Sequence, residues 1–137
     1  MYLFDTSIWS WAHNDPASNL ARKLTDRLAA GELVTSSVVV LEVLHVARNW
    51  DEYEHLSARL ALLPTVPITA SSSSRALDVQ AQLASSGHGN HRRPAADFLL
   101  AAAAEEAGPE VTLWFFDKDL RVICEHTGQL YEAETTV

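Results

Sequence analysis

Four carboxylates interrupt or follow the most apolar stretches of this 137-residue sequence: Asp5 after Tyr2-Leu3-Phe4, Glu42 within a valine- and leucine-rich segment, Asp97 two residues into an alanine-rich run, and Asp117 after Val111–Phe116. A single such acid has an ordinary explanation, since Asp5 can simply cap the helix that follows it. Four that converge would do more. At about 5 Å and an effective dielectric of about 20, each like-charged pair costs about 3 kcal/mol, so the acids must be protonated or must share a divalent cation. Hard oxygen donors without His or Cys suit Mg²⁺ or Mn²⁺, ions held by a few carboxylates plus water and so open to phosphate oxygens.

Convergence requires elements that bring these positions to one place. Residues 2–4 read as a buried strand ending on Asp-Thr-Ser. After Trp9 and Trp11 in a first loop, Asn14-Asp15-Pro16 predicts a helix start, with Leu20, Leu24 and Leu28 at helical spacing and Gly31 as its stop. Residues 32–36 form a second short strand. Residues 38–49 favour a strand locally through three valines, but twelve residues of apolar recurrence predict a helix, which places Glu42 in an apolar surround. A helix over 51–63, a third strand at Val66–Thr69, a serine loop at 71–74 and a helix from Arg75 to about Ser86 follow. The stretch 87–94 (Gly-His-Gly-Asn-His-Arg-Arg-Pro) is the most loop-like in the chain. It leads into a helix over Ala95–Ala107. A fourth strand at 111–116, a short helix at about 122–125 and an edge strand near Leu130 and Tyr131 complete the order. Strands alternating with helices predict an α/β fold: a central parallel sheet of four to five strands with helices on both faces. The strands' carboxyl ends then share one edge, where Asp5 and Asp117 meet and where Glu42 and Asp97 enter from helices.

The length fits one domain over residues 1–137. Eighteen acids against ten Lys and Arg give a net charge of −8, the wrong overall sign for holding nucleic acid by charge alone, unless the acids gather around cations. The lone Cys124 excludes an internal disulfide and fits a reducing cytoplasm. No apolar run approaches the length of a membrane span, so no membrane association is expected.

Phe4-Asp5-Thr6-Ser7, Leu41-Glu42-Val43, Arg93-Pro94-Ala95-Ala96-Asp97-Phe98-Leu99-Leu100-Ala101-Ala102 and Phe116-Asp117-Lys118-Asp119-Leu120 resemble, in order and separation, the four motifs of PIN-domain nucleases. Size and motif order are similar to the VapC toxins of bacterial VapBC toxin–antitoxin pairs. The resemblance implies a three-layer PIN-like fold and a Mg²⁺- or Mn²⁺-dependent endoribonuclease, with Asp5, Glu42, Asp97 and Asp117 as catalytic and metal-binding acids and Asp119 as a further metal ligand. It implies that Thr6 or Ser7 positions the first acid or a metal-bound water. Hydrolysis would leave a 5′-phosphate and a 3′-hydroxyl. The partners implied are an RNA substrate, a cognate VapB-type antitoxin and a second copy, as a homodimer or a toxin–antitoxin hetero-oligomer. The last motif departs from the family's usual pattern, since Trp114-Phe115-Phe116 stands where a hydroxyl residue is expected.

Arg92, Arg93, Lys118 and Arg121 are candidate phosphate contacts, because guanidinium matches phosphate bidentately, with a solvated ion pair as the plainer reading. His88 and His91 have the look of a metal pair but lack a third ligand of the same kind. His45, on an apolar helix, reads as a core residue. Trp9 and Trp11 either stack bases, anchor a partner or pack the first loop. Three other functions compete. A phosphatase with an aspartyl nucleophile needs an acid two residues after Asp5, where Ser7 stands. A catalytically silent PIN-like RNA- or protein-binding module has no need of gathered acids. A metal-free ribonuclease predicts cleavage that survives chelation.

Overall fold

The fold is a parallel sheet whose centre is the amino-terminal strand, here described from a computed structural model covering residues 1–116 and 118–137. Strands β1 (Tyr2–Phe4), β2 (Leu33–Val34), β3 (Thr112–Phe115) and β4 (Tyr131–Ala133) lie in the order β2-β1-β3-β4, every neighbour parallel. Tyr2, Leu3 and Phe4 pair with Thr112, Leu113 and Trp114. Around the sheet are α1 (Thr6–Asn14), α2 (Asn19–Ala29), α3 (Ser37–His45), α4 (Trp50–Leu60), α5 (Ala70–Ser85), α6 (Ala95–Ala107) and α7 (Lys118–Thr127). Leu3, Ile8, Leu113, Trp114, Phe115 and Leu120 are fully buried, and the core extends from the two central strands through Val39 and Val43 of α3 and Leu100 to Ala104 of α6. Cys124 joins it as a small buried side chain, and burial pushes its thiol up to about 12.

Several boundaries differ from expectation. Trp9 and Trp11 lie on a helix, α1, rather than in a loop, because Asp5 caps residues 6–14 directly. The Asp15-Pro16 signal falls in the turn after that helix, and Ser18 caps α2 instead. Val66–Thr69 is not a strand. Only Thr65 bridges to Thr35, so the sheet has four strands among the described residues. The valine-rich helix stops at His45, four residues short, and Glu42 is exposed rather than wrapped in apolar side chains; His45 is also exposed.

The serines of 71–74 are inside α5, which begins at Ala70. Thr69 is its cap: the Ser72 N–H donates to Thr69 Oγ1 at 3.0 Å and the Thr69 N–H to Ser72 Oγ at 2.8 Å, a reciprocal pair that recruits a serine run into helix. Thr69→Ala is expected to cost about 1 kcal/mol, read as a lower urea midpoint with an unchanged m-value.

The last strand is held by charge. Arg27 stacks on the rings of Tyr2 (3.6 Å) and Trp114 (4.3 Å) while its Nη2 donates to Glu132 at 2.8 Å. Lys23 pairs with both Glu132 and Glu134, and the Trp114 indole N–H donates to Glu134 at 2.8 Å. Burial opposes the charge on Glu132, yet the hydrogen bonds and positive charge of Lys23 and Arg27 hold its carboxyl below the ordinary range. Its stabilising contribution is therefore present at neutral pH and lost only as pH falls through that lowered value.

Candidate active site

The strand order sets the location. The chain leaves β1 toward β2 on one side and leaves β3 toward β4 on the other, so the carboxyl ends of these two adjacent strands bound the crevice where an open parallel sheet receives ligands. Asp5 follows β1 directly. Its N–H donates to Trp114 O at 2.8 Å, continuing the β1–β3 ladder by one bond, and its carboxylate Oδ2 accepts the Ser7 N–H at 3.1 Å as the α1 cap. On the other lip, the Phe116 N–H donates to Ser7 Oγ at 2.9 Å. The Asp-Thr-Ser triplet thus closes the top of the crevice from both strands.

Glu42 and Asp97 lie on two of the helices. Thr6 Oγ1 donates to Glu42 Oε1 at 3.0 Å, tying α1 to α3. Asp97 lies in the first turn of α6, its side chain buried and its N–H bonded to Pro94 O at 3.1 Å. Asp117 lies outside the described residues. Among the described residues, no three His, Cys, Asp or Glu side chains form a ready metal cage.

Electrostatics mark the crevice. Partial burial and the charge of Asp5 push the Glu42 carboxyl up, against the Thr6 hydrogen bond that pulls it down. The Asp5 charge thus opposes ionisation of Glu42, an effect that a divalent cation would relieve. The donor set, carboxylate and hydroxyl oxygen without sulfur or imidazole, fits Mg²⁺ or Mn²⁺, which keep most of their waters. Because Glu42 is raised above 4.5 in the fold, the folded protein holds a proton that the unfolded chain has released, and stability falls as pH rises through that window. Glu42→Gln is expected to remove this dependence and to stabilise the metal-free protein slightly at neutral pH, by under about 1 kcal/mol for so exposed a group. Thermal melts across pH with EDTA read it.

Residues 2–125 match the PIN domain. The chain belongs to the PIN-domain family. It is 32% identical over 130 residues to Ribonuclease VapC18 of Mycobacterium tuberculosis, covering 94% of this chain and 91% of that protein. With Ribonuclease VapC2 of the same species it shares 42% identity over 114 residues, 81% and 78% of the two chains. Its fold matches the toxin–antitoxin complex VapBC from Salmonella typhimurium, solved bound to DNA, with a TM-score of 0.71 at 15% identity over 96% of both chains. FitAcB from Neisseria gonorrhoeae gives 0.70 at 19% identity, also over 96% of both.

In this PIN domain the basic candidates divide. Arg92, Lys118 and Arg121 are exposed, and Arg121 lies over the Tyr131 ring at 5.9 Å. Arg93 is instead paired with Asp119, Nη1 to Oδ1 at 2.5 Å. Trp11 is half-exposed and rests on Phe116, ring centroids 5.3 Å apart, while Trp9 stacks with His13 and carries the Arg59 guanidinium at 5.4 Å. Sequence reading named Thr6 and Ser7 as site residues but did not assign Thr6 to Glu42 or Ser7 to the β3 lip. Their position directly after Asp5 offered the only signal, since consecutive helical residues point about 100° apart and so reach different neighbours.

Proposed function

We propose that this PIN domain is a metal-dependent endoribonuclease and the toxin of a VapBC-type pair. The observation that carries this reading is the Thr6 hydroxyl, next to Asp5 at the β1/β3 switch point, bonded to Glu42, with the buried Asp97 in the first turn of α6. The sequence match to proteins named Ribonuclease VapC supports the same activity. Asp5, Glu42, Asp97 and Asp117 would hold Mg²⁺ or Mn²⁺, which supplies an activated water and neutralises phosphoryl charge. Asp5 is held for this by its bond from the Ser7 N–H, and Glu42 by the Thr6 hydroxyl. Exposed Arg92, Lys118 and Arg121 would steer the phosphate backbone toward a crevice whose own charge opposes it.

A VapB-type antitoxin is the partner this reading implies, supported by structural neighbours that are themselves VapBC complexes, and the toxin would act in the cytoplasm as a homodimer or within a hetero-oligomer. A silent binding module is the weaker reading. It leaves the electrostatic cost at Glu42 without a purpose.

The test incubates purified protein with structured RNA and total tRNA, adding Mg²⁺, Mn²⁺ or EDTA, with Asp97→Asn as control and fragment ends mapped. Metal-dependent cleavage lost in the variant and leaving 5′-phosphates is the expected result. Cleavage that survives EDTA, or persists in Asp97→Asn, would overturn the carboxylate–metal mechanism.

A further inference from the structure

Two charged side chains, Arg93 before α6 and Asp119 in α7, pair with each other. Beyond its bond to Asp119, Arg93 donates through Nε to Asn90 O at 2.9 Å, and its side chain is only 13% exposed. The neighbouring Arg92 is exposed. Arg93 immediately precedes Pro94, and α6 begins there with no side-chain cap. The approach to that helix is also irregular, since Gly87, His88 and Gly89 all take left-handed backbone, His88 at φ 63°. The first turn of α6, which carries Asp97, therefore has neither a side-chain cap nor a regular lead-in, and is held by the Asp97 N–H on Pro94 O and by the burial of Asp97 and Phe98. Asp119 lies in the first turn of α7, which packs against α6.

We propose that the Arg93–Asp119 pair is a positioning clasp, fixing the first turn of α6, and with it Asp97, against the first turn of α7, with neither residue contacting RNA or metal. A shielded guanidinium with two protein acceptors gives up a charge-assisted bond before it can take a phosphate, and withdrawing it removes the counter-charge from a partly buried carboxylate. The assignment rests on the nuclease reading. It gives Asp119 and Arg93 a joint role in place of separate metal and substrate roles.

The test uses Arg93→Gln, Asp119→Asn, the double variant and Arg93→Lys, each in the full chain. Three quantities are read: kcat and KM on an RNA that the unaltered protein cleaves, Mn²⁺ affinity by electron paramagnetic resonance, and amide hydrogen exchange in the first turn of α6. Expected are a fall in kcat of about ten- to a hundredfold in either single variant, KM within about twofold, and equal small changes in Mn²⁺ affinity. The double variant should lose less than the product of the two single losses, because both remove the shared Arg93–Asp119 contact, and Arg93→Lys should recover part of the rate. A rise in KM confined to Arg93→Gln would make Arg93 an RNA contact. Loss of Mn²⁺ affinity confined to Asp119→Asn would make Asp119 a ligand. Losses that multiply in the double variant would give the two residues independent roles. Any of these overturns the clasp. If the unaltered protein cleaves no RNA with either metal, the nuclease reading fails, and exchange alone decides the clasp: faster exchange in α6 in both single variants supports it, and unchanged exchange removes it.

Discussion

Replacing Asp5 with Asn is expected to lower metal-dependent RNA cleavage on the order of 10³-fold while leaving the fold intact. The substitution is informative because Asp5 has two tasks that Asn separates. As the α1 cap it accepts the Ser7 N–H, and Asn caps helices as well as Asp does, so the melting temperature should hold within a few degrees. What is lost is the negative charge at the end of β1. The same loss should lower Glu42 slightly, since burial is the main cause that raises it and the charge of Asp5 adds to it. Carboxyl titration followed by NMR, paired with the cleavage assay, reads both consequences on one sample. An Asp5→Asn protein that keeps its activity would mean that the acid at the β1 end serves only as a cap.

The largest effect on stability is expected from Trp114→Ala. The side chain is fully buried on β3, between β1 and β4, and three elements meet on it: the Tyr2 ring at 6.2 Å, the stacked Arg27 guanidinium, and Glu134 through the indole N–H. Truncation leaves a cavity in the centre of the sheet and should cost about 3–5 kcal/mol, much of a small domain's total stability. Trp114→Phe restores most of the volume but not the hydrogen bond to Glu134, and should recover most of the loss. Urea unfolding of the two variants separates packing from the polar contact. Equal losses in both would place the stability in the Glu134 bond instead of the ring.

Strands β1 and β3 and helix α6 were legible because they depend on local signals: Tyr2–Phe4 and Val111–Phe116 are apolar runs followed by acids in the sequence, and Ala95–Ala107 has helix propensity bounded by proline and glycine. The parallel α/β class was equally readable, since strands alternating with helices admit few arrangements. Other features were settled by contacts distant in sequence. Val66–Thr69 has strand composition, but only Thr65 reaches the sheet, against Thr35. Ser71–Ser74 look like a linker and become helix through the reciprocal bonds of Thr69 and Ser72. The pairing of Arg93 with Asp119, 26 residues on, could not be foreseen from motifs that present each as a site residue in its own right.

Both outer strands of the sheet are short, two residues in β2 and three in β4, and β4 carries Glu132 with Glu134 just beyond it. Short, charged borders offer poor templates for a strand of another molecule. Extension of this sheet by the backbone of another molecule is therefore disfavoured at both of its edges.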